Sequence, residues 1–199
     1  GSSSLDANTT GGSNTAIGHA ALGANTTASN NTAVGSSALL SNTTATSNVA
    51  VGANAGDAIT TGGQNVAIGH NALGALTTTS GNIAIGYNAI DAGTDGVQNC
   101  VGIGTAALGA LTASGSGTTP NIAIGYNAGT AMTTGTNNTI MGSWAMSSVV
   151  TGANNVAIGH ASMLSCTSGA NNTAVGSNSG NAVTTGTGNT FLGHQAGDN

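Results

Sequence analysis

A β-branched residue, one intervening residue, then an apolar residue followed at once by glycine recur along the whole chain, from Thr15-Ala16-Ile17-Gly18 to Thr190-Phe191-Leu192-Gly193. The glycine of this pattern returns eleven times, at steps of 17 residues broken only by one step of 18 and one of 21. So strict a period over a whole chain marks a solenoid, in which each unit buries its apolar side only by stacking on the next. Counting each unit from its asparagine, Asn14 in the first, the β-branched residue is column 2, the apolar residue column 4 and the glycine column 5.

Columns 2 and 4 lie two residues apart and so share one face of a strand. β-Branched side chains favour strands. The pattern therefore predicts one short strand per unit, and the unbroken apolar file of column 4 is expected to point inward together with column 2. Column 3 is mostly alanine (Ala16, Ala33, Ala50, Ala67, Ala84) and column 8 is only alanine or serine. Small columns allow close approach of another surface, so these are expected at a contact between chains. A helix is excluded, since each interior Gly, Asn or Thr would cost roughly 0.5–1 kcal/mol relative to Ala.

The expected fold is all-β: a single-chain parallel β-solenoid of about eleven 17-residue coils over residues 14–199, after a lead-in or cloning remnant at 1–13. The longest step holds a polar loop insertion at 113–120, ending at Pro120. The column-1 asparagines, such as Asn31, Asn48 and Asn65, are expected to stack into an amide ladder along the axis. Thr-rich pairs at columns 13 and 14, such as Thr26-Thr27 and Thr60-Thr61, predict a second extended stretch before a turn.

The units NTAIGHAAL, NTAVGSSAL, NVAIGHNAL and NIAIGYNAI resemble the repeats in the heads of trimeric autotransporter adhesins and in related phage tail-fibre proteins. The resemblance spans Asn14 to Gly197, although the heads of adhesins usually have shorter coils. It implies a left-handed β-roll, three chains around one axis, and an extracellular place on a cell surface or virion fibre. It also implies attachment to a cell-surface receptor or glycan.

Composition narrows the partners. The chain has 199 residues with no Lys or Arg, five acidic residues, and a formal charge of −5. Phosphate recognition depends on cationic side chains, so nucleic acid is excluded as a partner, and no stretch reaches the ~18 apolar residues needed to insert in a membrane. A small core per coil leaves burial to be supplied by neighbouring chains, hence a homo-oligomer, which the resemblance implies is a trimer. Cys100 and Cys166 lie four coils apart, about 19 Å at the usual strand spacing, so no disulfide is expected between them.

Candidate chemistry is sparse. His19, His70, His160 and His194 share column 6 with Tyr87 and Tyr126. Three copies around an axis could bring such imidazoles together, but the column also holds Ser and Ala, so no metal is assigned. Asp57, Asp91 and Asp95 form no paired-carboxylate pattern. Gly102 to Ala107 fits a loose GxGxxA fingerprint whose glycines the repeat already explains. No cofactor and no enzymatic activity are expected. Large aromatic residues at columns that are otherwise small or polar, Trp144, Tyr87, Tyr126 and Phe191, are the candidate partner-binding residues. The expected function is a structural or adhesive fibre segment. The alternative is an ice-binding solenoid, supported by the threonine file through Thr26, Thr43, Thr60 and Thr184.

Overall fold

The computed structural model describes all residues other than 94, 95, 113–119, 149 and 199, so most of the 113–120 insertion and Asp95 lie outside the described residues. Eleven three-residue strands, one per coil, run from β1 (Thr15–Ile17) through β5 (Ile83–Ile85), β6 (Val101–Ile103) and β8 (Thr139–Met141) to β11 (Thr190–Leu192). They form one sheet in sequence order, every pair parallel, and like columns face each other: Val49 opposite Val66, Ala50 opposite Ala67, Val51 opposite Ile68. The described residues hold no helix. This is the parallel β-solenoid that the period implies. The segment ahead of Asn14 stacks on the first coil in the same way, with Leu5 donating its N–H to Ala21 O at 3.1 Å and Thr9 to Thr26 O at 2.9 Å.

The facing of the strands is the reverse of the expectation. In every strand the middle residue is the most buried and its two neighbours turn outward, as in Val49-Ala50-Val51 and Ile83-Ala84-Ile85. Column 3, with Ala33, Ala50, Ala84 and Ala123, is buried in the chain's own core in all but the two end coils, and so is column 8, with Ala38, Ala55 and Ala72, in all but the last coil. Neither column is open to another chain.

The physical reason lies across the coil. Column 9 supplies Leu22, Leu39, Leu73, Ile90, Leu108, Met146 and Met163, all fully buried, and these side chains reach the back of the sheet. The contact is close: a Cβ on Gly102, in column 3, would lie 2.8 Å from Ile90 Cγ1. Only a small residue fits between a strand and a leucine at that distance, so the strand presents alanine inward and its β-branched residues outward.

Column 9 sits in the left-handed backbone region in coil after coil, with φ of 52° at Leu22, 55° at Leu73 and 49° at Ile90. That conformation costs a bulky residue roughly 1–2 kcal/mol, whereas burying its side chain gains about 1.5–3 kcal/mol. Burial wins, and the turn that aims the side chain inward is kept. Column 5 is glycine for a different reason. A Cβ on Gly69 would lie 2.5 Å from the carbonyl oxygen of Gly86 in the next coil, at φ +130°. The glycine corners touch through bare backbone.

Two polar ladders hold the register. The side-chain oxygen of Asn48 accepts the backbone N–H of Asn65 at 2.9 Å, and that of Asn65 accepts the N–H of Asn82 at 2.9 Å. Each amide nitrogen donates to a carbonyl at the end of its own coil, as Asn65 does to Thr79 O at 2.9 Å. The expected ladder is therefore present, but its main rungs run from side chain to backbone. Direct amide-to-amide bonds accompany them in some coils, such as Asn155 to Asn138 at 3.1 Å. Along column 13, Thr26, Thr43 and Thr60 donate their hydroxyls to the carbonyl of the next coil at 3.1–3.2 Å.

Candidate binding faces: an aliphatic strip and an aromatic ridge

Because columns 2 and 4 turn outward, the sheet carries its β-branched and aliphatic side chains on the solvent side. Val49 and Val51 are each 37% exposed, Ile83 37%, Ile122 40% and Met141 40%. Ten inter-strand steps at ~4.8 Å make this two-file strip about 48 Å long. Exposed contiguous apolar surface of that extent is the mark of an interaction site. Threonine takes part of column 2 toward both ends (Thr15, Thr32, Thr173, Thr190), while the middle is Val and Ile except at Thr139.

Beyond the column-5 glycines the chain turns and presents column 6. Tyr87 and Tyr126 stand out from it, 54% and 51% exposed, and Trp144 in column 7 is 41% exposed. His70 stacks on Tyr87, ring centroids 5.5 Å apart and planes inclined by 16°. Trp144 meets Tyr126 edge to face, 5.4 Å between centroids at 74°. Three of the four candidate residues thus gather on one ridge spanning four successive coils. Phe191 does not join them. It belongs to column 3 and packs on the core, where a Cβ on Gly180 would meet its Cδ2 at 3.0 Å.

The titratable groups do not converge. His19, His160 and His194 are exposed on column 6, and among the described residues no group of three or more His, Cys, Asp or Glu could hold a metal ion. Asp57 and Asp91 both lie in column 10, two coils apart with Gly74 between. Burial pushes both carboxyls above the ordinary carboxylate value, for Asp57 against the pull of its own and Ala58's backbone N–H groups, and for Asp91 against nearby His70. Asn71 donates to an Asp91 carboxylate oxygen. Cys100 and Cys166 are buried and form no disulfide; burial raises the Cys166 thiol. Gly102 and Gly104, the first two positions of the GxGxxA match, are occupied by packing: Gly102 against Ile90, Gly104 against the carbonyl of Gly125.

The column pattern singles out the aromatic residues but gives the strip the look of a core. The signal that separates them is column 9, whose large apolar residues already fill the interior. Comparison with protein-family models, with curated proteins and with solved structures finds no match for this chain.

Proposed function

We propose that this chain is a segment of an extracellular, homotrimeric surface or tail fibre that attaches to a cell or host surface. The observation that carries the reading is the outward aliphatic strip of columns 2 and 4. Its β-branched side chains are rigid, so ordering them against a partner costs little entropy. A second copy of the same strip is a complementary partner in shape and polarity, and it needs no Lys or Arg, which the chain lacks. Identical chains favour closed point symmetry; three parallel strips closing on one axis bury each other along their whole length, and burial at about 25 cal/mol per Å² supplies the stability a thin coil stack lacks.

The same outward files keep a second reading open to test. A regular array of β-branched residues, with Thr at both ends of column 2, is also the form of a surface that orders water. The Val and Ile middle of the strip favours protein over ice. In addition, the column-13 threonine hydroxyls are committed to carbonyls of the next coil. Light scattering on the eluting chain and freezing-point osmometry on the same sample separate the two. A trimer without thermal hysteresis supports the fibre, whereas a monomer with hysteresis overturns it in favour of ice.

A further inference from the structure

The geometry points to the ridge of Tyr87, Tyr126 and Trp144 as a binding site for a neutral glycan, which deepens the attachment reading by naming the class of partner. The chain has only four Phe, Trp and Tyr residues among 199. Three of them project from one edge of four adjacent coils, all more than two-fifths exposed. The core gains nothing from side chains standing outside it.

Trp144 is held against its backbone preference. It sits at φ 61°, where other coils place Asn54 (55°), Asn88 (52°) or Asn127 (54°). The repeat imposes this backbone on the whole column, Ala20 (54°) and Ser37 (58°) included, and a bulky ring bears it at greater cost than asparagine. Contact with Tyr126 fixes the indole, and contact with His70 fixes the Tyr87 ring, so both platforms are oriented before any ligand arrives.

Tyr87 and Tyr126 are two coils apart, about 10 Å at the strand spacing. The coil between them carries only Thr105 in the same column, which leaves a notch between two raised rings. Aromatic faces stack on the C–H face of a pyranose, and the hydroxyls of Thr105 and Ser143 are at hand for its polar groups. With no Lys or Arg and a charge of −5 with its histidines neutral, the chain has no permanently cationic side chain to pair with a sialic, uronic or sulfated sugar. The ligand chemistry is neutral.

Trp144 is the chain's single tryptophan, so its fluorescence reports the site directly. The full chain is titrated with neutral oligosaccharides (cello-, galacto-, manno- and N-acetylglucosamine oligomers) and with polysialic acid and heparin as acidic probes. At least one neutral oligomer is expected to shift the emission saturably, and neither acidic probe is. Immobilised on a surface, the same oligomer should lose affinity at least about tenfold for Trp144→Asn and for Tyr126→Ser, the effect of one ring's stacking. Both replacements are residues that other coils carry in those columns. No shift with any neutral oligomer, a shift with the acidic probes alone, or binding undiminished in both variants would overturn the inference. The oligomeric mass of each variant is measured alongside. Loss of glycan binding with the assembly intact supports the ridge. Dissociation of both variants would place the rings in the chain–chain contact and overturn the glycan site. An oligosaccharide response from a chain that is monomeric would leave the ridge standing and remove the trimer.

Discussion

The side chain of Ile140 occupies the space that a side chain on Gly129 would need: a Cβ built there would lie 3.1 Å from Ile140 Cδ1. Gly129 is in column 9 of one coil and Ile140 in column 3 of the next. Gly180 and Phe191 repeat this pairing, whereas coils such as that of Leu22 run the trade the other way, large in column 9 and alanine in column 3 of the next. Ile140→Ala should therefore open a cavity and cost about 2–4 kcal/mol. Gly129→Leu alone should destabilise by overpacking. The double variant restores the arrangement of Leu22 and Ala33, with leucine at a φ that Leu22 and Leu73 already adopt. A double-mutant cycle by guanidinium unfolding should show a coupling of about 2 kcal/mol in favour of the pair; additive losses would contradict this account of the core.

Removing one rung of the asparagine ladder should be expensive. Asn65→Ala leaves the N–H of Asn82 and the carbonyl of Thr79 without their side-chain partner, and Asn65 is buried. Two orphaned backbone groups in a dry site cost about 3 kcal/mol together. Amide hydrogen exchange should show protection lost first at Asn82. Unchanged exchange there would mean that the ladder is not what fixes the register.

Glycine corners can be told from incidental glycines by one methyl group. Gly69→Ala puts a Cβ 2.5 Å from a backbone oxygen, whereas nothing lies within 4 Å of a Cβ at Gly12. The first should cost about 3 kcal/mol or more and the second should leave the melting temperature within a degree or two. Equal tolerance at both would mean that the coils stack less closely at column 5.

Acid should strengthen this fold. Burial raises the folded-state carboxyl of Asp57 above its ordinary value, so the folded chain holds that proton more tightly than the unfolded chain. The contribution is complete below the ordinary carboxylate value and is lost as the pH rises through the raised one. With no Lys or Arg there are no such ion pairs for acid to break. The melting temperature is expected to be higher at pH 3 than at pH 7. Asp57→Asn should raise it at pH 7 and leave it unchanged at pH 3. A melting temperature that falls on acidification, or a variant gain that persists at pH 3, would contradict this.

The coil count, the parallel sheet and the position of each strand were legible in the sequence, because a 17-residue period with β-branched residues two apart leaves little else. Which face of the strand is inside was not. Alternation tells which residues share a side, and a reading that assigns the wrong side inverts every one of them. The deciding residues, Leu22, Leu73 and Ile90, come five positions after their own strand in turns that look like loop, and they act on the strand of their own or the next coil. Phe191 stands out in the sequence as a large aromatic in an otherwise small column, and that size is used to fill the core beside Gly180. Tyr87 and Tyr126 could be placed together from their shared column, but the edge-to-face contact of Trp144 with Tyr126 joins different columns of adjacent coils, which no linear pattern displays.

Two neighbouring residues test whether chains meet at the outward strip. Ile85 is outward and Ala84 is buried in the core of the same strand. Sedimentation equilibrium is run on the parent chain, on Ile85→Glu and on Ala84→Glu, with circular dichroism on the same samples. The parent should give three chain masses. Ile85→Glu should give one chain mass with the strand spectrum kept, and Ala84→Glu should lose the spectrum itself, since an unpaired buried charge costs several kcal/mol. A parent chain that sediments as a monomer, or an Ile85→Glu chain that stays trimeric, would contradict the claim.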